Sequence, residues 1–383
     1  MKFVLNEKQK NEFAGRGFTR RDFGRLSALL TAGATLPFYN EAAMAQLSMI
    51  PGGPPPDAVL INANENPLGP CPEAVEAIYS VVKKGGRYLY HETSNFAKTV
   101  QEVEGLKDRY VFPFPGSSDP LHRSVLAFCS PAKSFVMGDP GYEAGGRAAQ
   151  FINAKVIRAP LRKDHSHDVQ AMVKADPNAG IIYICNPNNP TGTLTSRADI
   201  EYVLANKPAG SILLLDEAYI HISPSATSGM DLVAADKDLI ILRTFSKLYG
   251  MAGLRAGFAA GRPDLLAKLE PYGAGALPVT GVVGAIASLK VKTLVPERRK
   301  IIGDIREDVF SFLEKHNFTY VHSESNKFML DTKRPAKEFI EAMKREKVYV
   351  GRNWPVWPNH ARVSIGTSEE MEKFKTALLK VMT

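Results

Sequence analysis

Cysteine is scarce in this chain of 383 residues. Its three copies, Cys71, Cys129 and Cys185, lie far apart, match no metal-ligand spacing and form no disulfide framework. Cys185 closes the apolar run Ile181-Ile182-Tyr183-Ile184, where the plain reading is a small buried hydrophobe. Basic runs interleaved with aromatics are also missing, which leaves a nucleic-acid partner without support. The net charge of +8 is partly an N-terminal effect. Residues 1–45 hold seven Lys/Arg and four Asp/Glu, a surplus of +3 that leaves +5 for the rest. No apolar stretch is built to span a bilayer, the nearest being Leu26 to Phe38, which is short and interrupted by Gly, Thr and Pro. What remains is ordinary for a soluble globular protein, with 44% hydrophobic and 23% charged residues and length enough for two domains.

The informative stretch runs from Leu213 to Arg255. The apolar run Ile212-Leu213-Leu214-Leu215 stops at Asp216-Glu217-Ala218-Tyr219, and Leu239-Ile240-Ile241-Leu242 ends in Arg243-Thr244-Phe245-Ser246-Lys247. Continuous apolar runs bounded by polar residues read as buried strands of a parallel sheet. In open α/β sheets the ligand crevice lies at the carboxyl ends of such strands. Neighbouring strands would thus bring Asp216 and Lys247 to one crevice. A carboxylate and an amine there suit an aldehyde with a basic ring nitrogen, the lysine forming a Schiff base and the carboxylate holding the ring proton. Pyridoxal phosphate is the cofactor with that chemistry.

The first 45 residues read as an address. Thr19-Arg20-Arg21-Asp22-Phe23 carries a twin arginine, and Ala43-Met44-Ala45 offers a small-x-small cleavage site. This resembles a twin-arginine export signal and places the start of the mature chain at Gln46, in an exported or periplasmic protein. The competing reading is a disordered basic tail in a cytoplasmic one. After the Pro/Gly-rich Pro51 to Pro56, the segment Asn62 to Pro70 is a turn-rich arm. Apolar spacing predicts helices over 72–84, 96–107 and from Gly116 to Ala127, with Gly85 to Tyr90 as a loop. Gly116-Ser117-Ser118-Asp119 is either an ordinary N-cap or a phosphate cradle at a helix N-terminus. Ser246 and Arg255, a hydroxyl and a guanidinium from a second segment, favour the cradle. Tyr142, after the strand-like run Ser134 to Met137, suits either ring stacking or plain packing. The rigid loop Asn186-Pro187-Asn188-Asn189-Pro190-Thr191-Gly192 and Tyr219 both offer donors for a phenolate oxygen.

Together the loop Asn186 to Gly192, the Asp216-Glu217-Ala218-Tyr219 motif and the segment Ser246-Lys247 to Arg255 resemble fold-type I pyridoxal-phosphate aminotransferases of class I/II. The histidinol-phosphate aminotransferase-like branch matches best, its arm corresponding to Asn62 to Pro70. The likeness covers residues 60 to 370, with the motifs in family order. It implies an α/β fold: a large domain around a mostly parallel seven-stranded sheet, a smaller α/β C-terminal domain, and a homodimer with sites at its interface. The expected boundaries are 1–45 for the signal, 46–85 for the arm and first helix, 86–285 for the large domain and 286–383 for the small one.

The resemblance also implies roles. Lys247 is the Schiff-base lysine and proton shuttle; Asp216 pairs with the ring nitrogen; Asn189 and Tyr219 hold the phenolic oxygen; Tyr142 stacks on the ring. Ser118, Asp119, Thr244, Ser246 and Arg255 surround the phosphate. Arg362, in Ala361-Arg362-Val363-Ser364, grips the substrate α-carboxylate, with Arg352, Asn66 and Tyr88 further substrate contacts. Several features depart from the pattern. Pro120-Leu121-His122 follows Asp119, and His221, a structural or catalytic histidine, follows Tyr219. Trp354 and Trp357, the only tryptophans, crowd the loop after Arg352, and either Tyr88 or Tyr90 is the tyrosine that reaches the partner's site. The expected activity is amino transfer between an amino acid and a 2-oxo acid. Oxidation or hydroxylation, decarboxylation and racemisation of amino acids stay open on the same scaffold, as does a non-enzymatic binding module. No metal is implied.

Overall fold

A computed structural model of the chain describes residues 7–19, 21–22, 53–272 and 276–382. Arg20, the apolar stretch Leu26 to Phe38 and the Ala43–Ala45 cleavage site, on which the export reading rests, lie outside the described residues. Part of the leading segment nevertheless belongs to the fold. Helix α1 (Glu7–Gly15) is followed by Arg16, whose Nη2 donates to the carbonyls of Leu126, Ala127 and Cys129 at 2.7, 3.2 and 3.0 Å. Those carbonyls close a helix C-terminus, where unsatisfied acceptors and the helix dipole favour a cation. Phe18 is buried beside them.

The large sheet has seven strands: β2 (Val111–Phe114), β3 (Ser134–Asp139), β4 (Val156–Pro160), β5 (Ala179–Cys185), β6 (Ile212–Asp216), β7 (Leu239–Thr244) and β8 (Gly257–Gly261). Their order is β2-β8-β7-β6-β5-β3-β4. Only β8 runs against its neighbours, so the sheet is mostly parallel, as the sequence implies. Every residue of β5, β6 and β7 is buried, because helices cover both faces of a parallel sheet. That double burial is why these strands read as unbroken apolar runs. The predicted strands extend by one or two residues at their ends, and the extra residues at the carboxyl ends are the ones that matter: Cys185, Asp216 and Thr244.

Helix α2 (Pro72–Val82) follows the arm, and α3 (Tyr90–Glu104) follows the loop. The second starts six residues before the predicted Phe96. Its first turn and a half, Tyr-His-Glu-Thr-Ser-Asn, carries no apolar period, and left-handed Leu89 (φ 50°) starts it without a side-chain cap. Helix α4 (Ser118–Phe128) opens at the expected Gly-Ser turn.

The C-terminal part carries strands β9 (Tyr320–Val321), β10 (Lys327–Asp331), β11 (Val348–Val350) and β12 (His360–Ser364). Strands β12-β10-β9 form an antiparallel sheet. Strand β11 instead pairs in parallel with β1 (Val59–Ile61) of the arm. The arm is therefore stitched to the C-terminal domain, and its next residues cross to the large sheet. Among the described residues, no single helix is long and apolar enough to cross a membrane.

Candidate active site

The carboxyl ends of β5, β6 and β7 open into one cavity. Asp216 ends β6, while Lys247 lies three residues beyond the end of β7, inside the turn that returns the chain to β8. The cavity is lined by Ser118, Tyr142, Asn189, Asp216, Tyr219, Thr244, Ser246, Lys247 and Arg255. Nine of the ten cofactor contacts expected from sequence thus converge. Asp119 is the exception: its carboxylate is turned onto Arg123, with hydrogen bonds of 2.8 and 3.1 Å, because α4 places the two one turn apart.

Asp216 is fully enclosed. Tyr183 donates its hydroxyl to Oδ2 at 2.9 Å and the Ala218 N–H donates to Oδ1 at 3.1 Å. Burial outweighs these donors and the nearby Lys247, and pushes the carboxyl up to about 6. A buried carboxylate held that high gains from a cation placed against it. The Lys247 ammonium lies 3.3 Å from the Ala63 carbonyl and 5.6 Å from the centre of the Tyr219 ring. Tyr219 in turn takes a 2.9 Å hydrogen bond from Asn64 of the arm.

Across the turn, Arg255 donates to Ser246 Oγ (3.0 Å) and to the carbonyls of Ala252 (2.8 Å) and Pro115 (2.9 Å). No carboxylate among the described residues pairs with it, and burial lowers the pKa of its guanidinium. Gly116 makes this possible. With φ at +97°, a Cβ there would fall 2.3 Å from Arg255 Nη2. Ser118 Oγ, the Thr244 and Ser246 hydroxyls and Arg255 therefore form a cradle fit for a phosphate dianion, while Asp216 fits a protonated ring nitrogen. On both counts the residues present suit pyridoxal phosphate.

Asp216 also makes the cofactor-free protein sensitive to pH. Its folded-state value lies above the ordinary aspartate value of 3.8, so the fold binds this proton more tightly than the unfolded chain does. The resulting stabilisation is complete below about 4 and is lost as pH rises through about 6. A shift of that size corresponds to about 3 kcal/mol. Asp216→Asn carries no titrating group, so in thermal melts of cofactor-free protein its stability should gain on wild type between pH 4 and pH 7. A pH-independent difference between the two would contradict this.

Outside the cavity the expected substrate residues separate. Arg362 on β12 is buried and donates to Asn189 Oδ1 (3.0 Å) and to the Asn62 carbonyl (2.6 Å). Arg352 is held by Glu143 in a two-pronged ion pair (2.8 and 2.7 Å), its guanidinium 4.1 Å from the centre of the buried Trp354 ring. Trp354 donates to the Gly141 carbonyl at 2.8 Å, so it fixes the turn that carries Tyr142 and Glu143. Asn66 lies outside the cofactor cavity and instead donates to the Leu248 carbonyl (2.7 Å), bracing the turn after Lys247. Tyr88 is 71% exposed and stacks on Tyr90 at 5.4 Å, away from the cavity of its own chain. His221 is structural. Arg243, a group that only donates, lies 2.9 Å from its Nε2 and so holds the ring as a neutral acceptor.

Comparison with known proteins agrees with this geometry. The family model described as "Aminotransferase class I and II" matches residues 56–378. The chain belongs to that family. A histidinol-phosphate aminotransferase of Haemophilus influenzae is 33% identical over 335 residues, covering 85% of this chain and 90% of its own. One from Clostridium acetobutylicum is 32% identical, covering 88% and 97%. The histidinol-phosphate aminotransferase of Sinorhizobium meliloti, solved in complex with pyridoxal-5'-phosphate, superposes with a TM-score of 0.81. At 22% identity, over 91% of this chain and 95% of that one, it establishes the fold. The protein is a pyridoxal-phosphate-dependent class I/II aminotransferase of fold type I.

Sequence reasoning missed four residues of this aminotransferase site. Asn64 was overshadowed by Asn66, two positions on in the same arm. Tyr183 read as one more apolar residue in a buried strand. Glu143 gave no signal, since its partner lies 209 residues away. Lys327 begins β10 and is fully buried, where a lysine is not expected.

Proposed function

We propose that this aminotransferase acts on a substrate carrying an α-carboxylate and no distal phosphate, as an exported homodimer. The observation that carries the substrate reading is the pair of arginines. Arg362 is buried and donates to Asn189 Oδ1 and to the Asn62 carbonyl, whereas Arg352 is held by Glu143 in a two-pronged ion pair. A carboxylate reaching Arg362 meets a planar guanidinium suited to two-pronged binding, but a distal anion at Arg352 must first displace Glu143.

Bound pyridoxal phosphate supplies the electron sink that makes a Cα proton removable. The chain's own residues do the rest. Lys247 Nζ would carry the proton from the substrate Cα to the cofactor's C4′ and, in the second half-reaction, the reverse way. Asp216 keeps the ring nitrogen protonated. Tyr219 and the amide of Asn189, whose Oδ1 is turned to Arg362, donate to the phenolic oxygen. Tyr142 covers the ring, and Arg255 with Ser118, Thr244 and Ser246 anchors the phosphate. Arg362 orients the substrate so that the Cα–H bond is the one broken, which favours amino transfer over decarboxylation. Incubating the cofactor-loaded protein with single amino acids and measuring half-transamination tests the reading. Reaction confined to phosphorylated amines would overturn it.

The homodimer is supported by an exposed apolar strip, Tyr79, Val82, Tyr88, Tyr90 and Val103, on α2, α3 and the loop between them. Sedimentation that finds a monomer at micromolar concentration would refute it. Export is supported by Arg20-Arg21, the short apolar stretch and the Ala-x-Ala site. It accords with three buried free cysteines, which need no oxidising compartment to fold. Fractionation that finds only cytoplasmic protein beginning at Met1 would refute export.

A further inference from the structure

Lys327 has no place in the roles assigned so far. It begins β10 in the C-terminal domain, its side chain is fully buried, and its Nζ lies 3.2 Å from the centre of the Tyr219 ring. Ser325 Oγ accepts a 2.8 Å hydrogen bond from the same nitrogen. An ammonium in such a place forfeits solvation that a methionine of equal length would not. Packing alone therefore does not explain a lysine, whereas the face of a phenol gives its charge a partner.

We propose that Lys327 is a positioning residue that acts through Tyr219. Its ammonium, lying on the ring face, draws electron density from the phenol and makes the hydroxyl a stronger donor to the cofactor's phenolic oxygen. The argument rests on the assignment of Tyr219 to that oxygen. Three features hold the arrangement in place. Asn64 fixes the hydroxyl end at 2.9 Å, Ser325 fixes the amine, and the pairing of Lys327 with Ser364 seats β10 against β12. Ser364 Oγ in turn donates to Asn64 Oδ1 at 3.0 Å, so the groups at both ends of the phenol are tied together. Charged or titratable groups that line the same cavity as Tyr219 include Lys247 and Arg255 from the turn after β7, Asp216 at the head of its own turn, Cys185 from β5 and Tyr142. The Lys247 ammonium also faces the ring and, at 5.6 Å, is the more distant of the two.

The readout is the visible absorption of the cofactor-loaded protein as a function of pH. Its midpoint reports the basicity of the nitrogen joining Lys247 to the cofactor. A strong donor to the phenolic oxygen lowers that basicity. Lys327→Met removes the charge and keeps the length of the side chain, so the midpoint should rise by roughly one pH unit, the scale of a desolvated cation–π contact. Tyr219→Phe should also raise it. In the double variant the midpoint should move no further than in Tyr219→Phe alone, because the lysine acts through the phenol. A midpoint in Lys327→Met equal to wild type, or fully additive shifts in the double variant, would overturn the proposal. If Tyr219→Phe leaves the midpoint unmoved, the assignment of Tyr219 fails instead. Should Lys327→Met not load cofactor, Lys327→Gln, which keeps a donor toward Ser325 without the charge, carries the same expectation and the same refutation.

Discussion

Lys247→Ala is expected to abolish the visible absorption that the cofactor gains through its covalent bond to this residue, and to lower turnover by at least about 10⁴-fold. The loss is large because one nitrogen does two jobs. It holds the cofactor before the substrate arrives, and it then carries the proton to and from the substrate Cα. No neighbouring group replaces it. Lys327 is a second amine at the Tyr219 ring, but Ser325 holds it there. The fold should survive, since the hydrogen bond from the Lys247 ammonium to Ala63 is long and its ring contact is distant. Absorption spectra and single-turnover assays on the purified variant decide the matter. An unchanged visible band would remove Lys247 from its role.

Arg362→Ala should cost every amino-acid substrate about 2–5 kcal/mol, on the order of 30- to 4,000-fold in kcat/KM. A uniform loss is the signature of a group that grips what all substrates share. Glu143→Ala should behave differently. Releasing Arg352 exposes a cation stacked on Trp354, so substrates with acidic or phosphorylated side chains should gain while neutral ones stay within a factor of about three. The discriminating data are kcat/KM values for both variants across acidic, basic, aromatic and phosphorylated amines. If Arg362→Ala discriminates by side chain and Glu143→Ala does not, the roles of the two arginines are reversed.

How much of this was legible in the residues follows the physics of burial. Strands β5, β6 and β7 announced themselves because both faces are covered, and the polar residues ending them marked the crevice without further information. Strand β8, Gly-Phe-Ala-Ala-Gly, gave no such signal. It is short and rich in small residues, since a Cβ at Gly257 would fall 2.6 Å from the Arg243 carbonyl and the Gly116 backbone. The residues around the cofactor were readable because each is tied to a local motif. The residues that position them were not. Asn64, Tyr183, Glu143 and Lys327 act across 155, 33, 209 and 108 positions respectively, and no local pattern encodes such a meeting. Asp119 failed for the opposite reason: a partner one helical turn away, Arg123, claimed its carboxylate first.

The pairing of β1 with β11 ties the timing of binding to the chemistry. The segment that leaves β1 offers the Asn62 carbonyl to Arg362 and, two residues on, the Asn64 amide to Tyr219. A swing of the C-terminal domain that uncovers Arg362 must either break the β1–β11 pairing or drag Asn64 from the phenol. While that pairing holds, the grip on the substrate and the set of the phenol engage and release as one linkage.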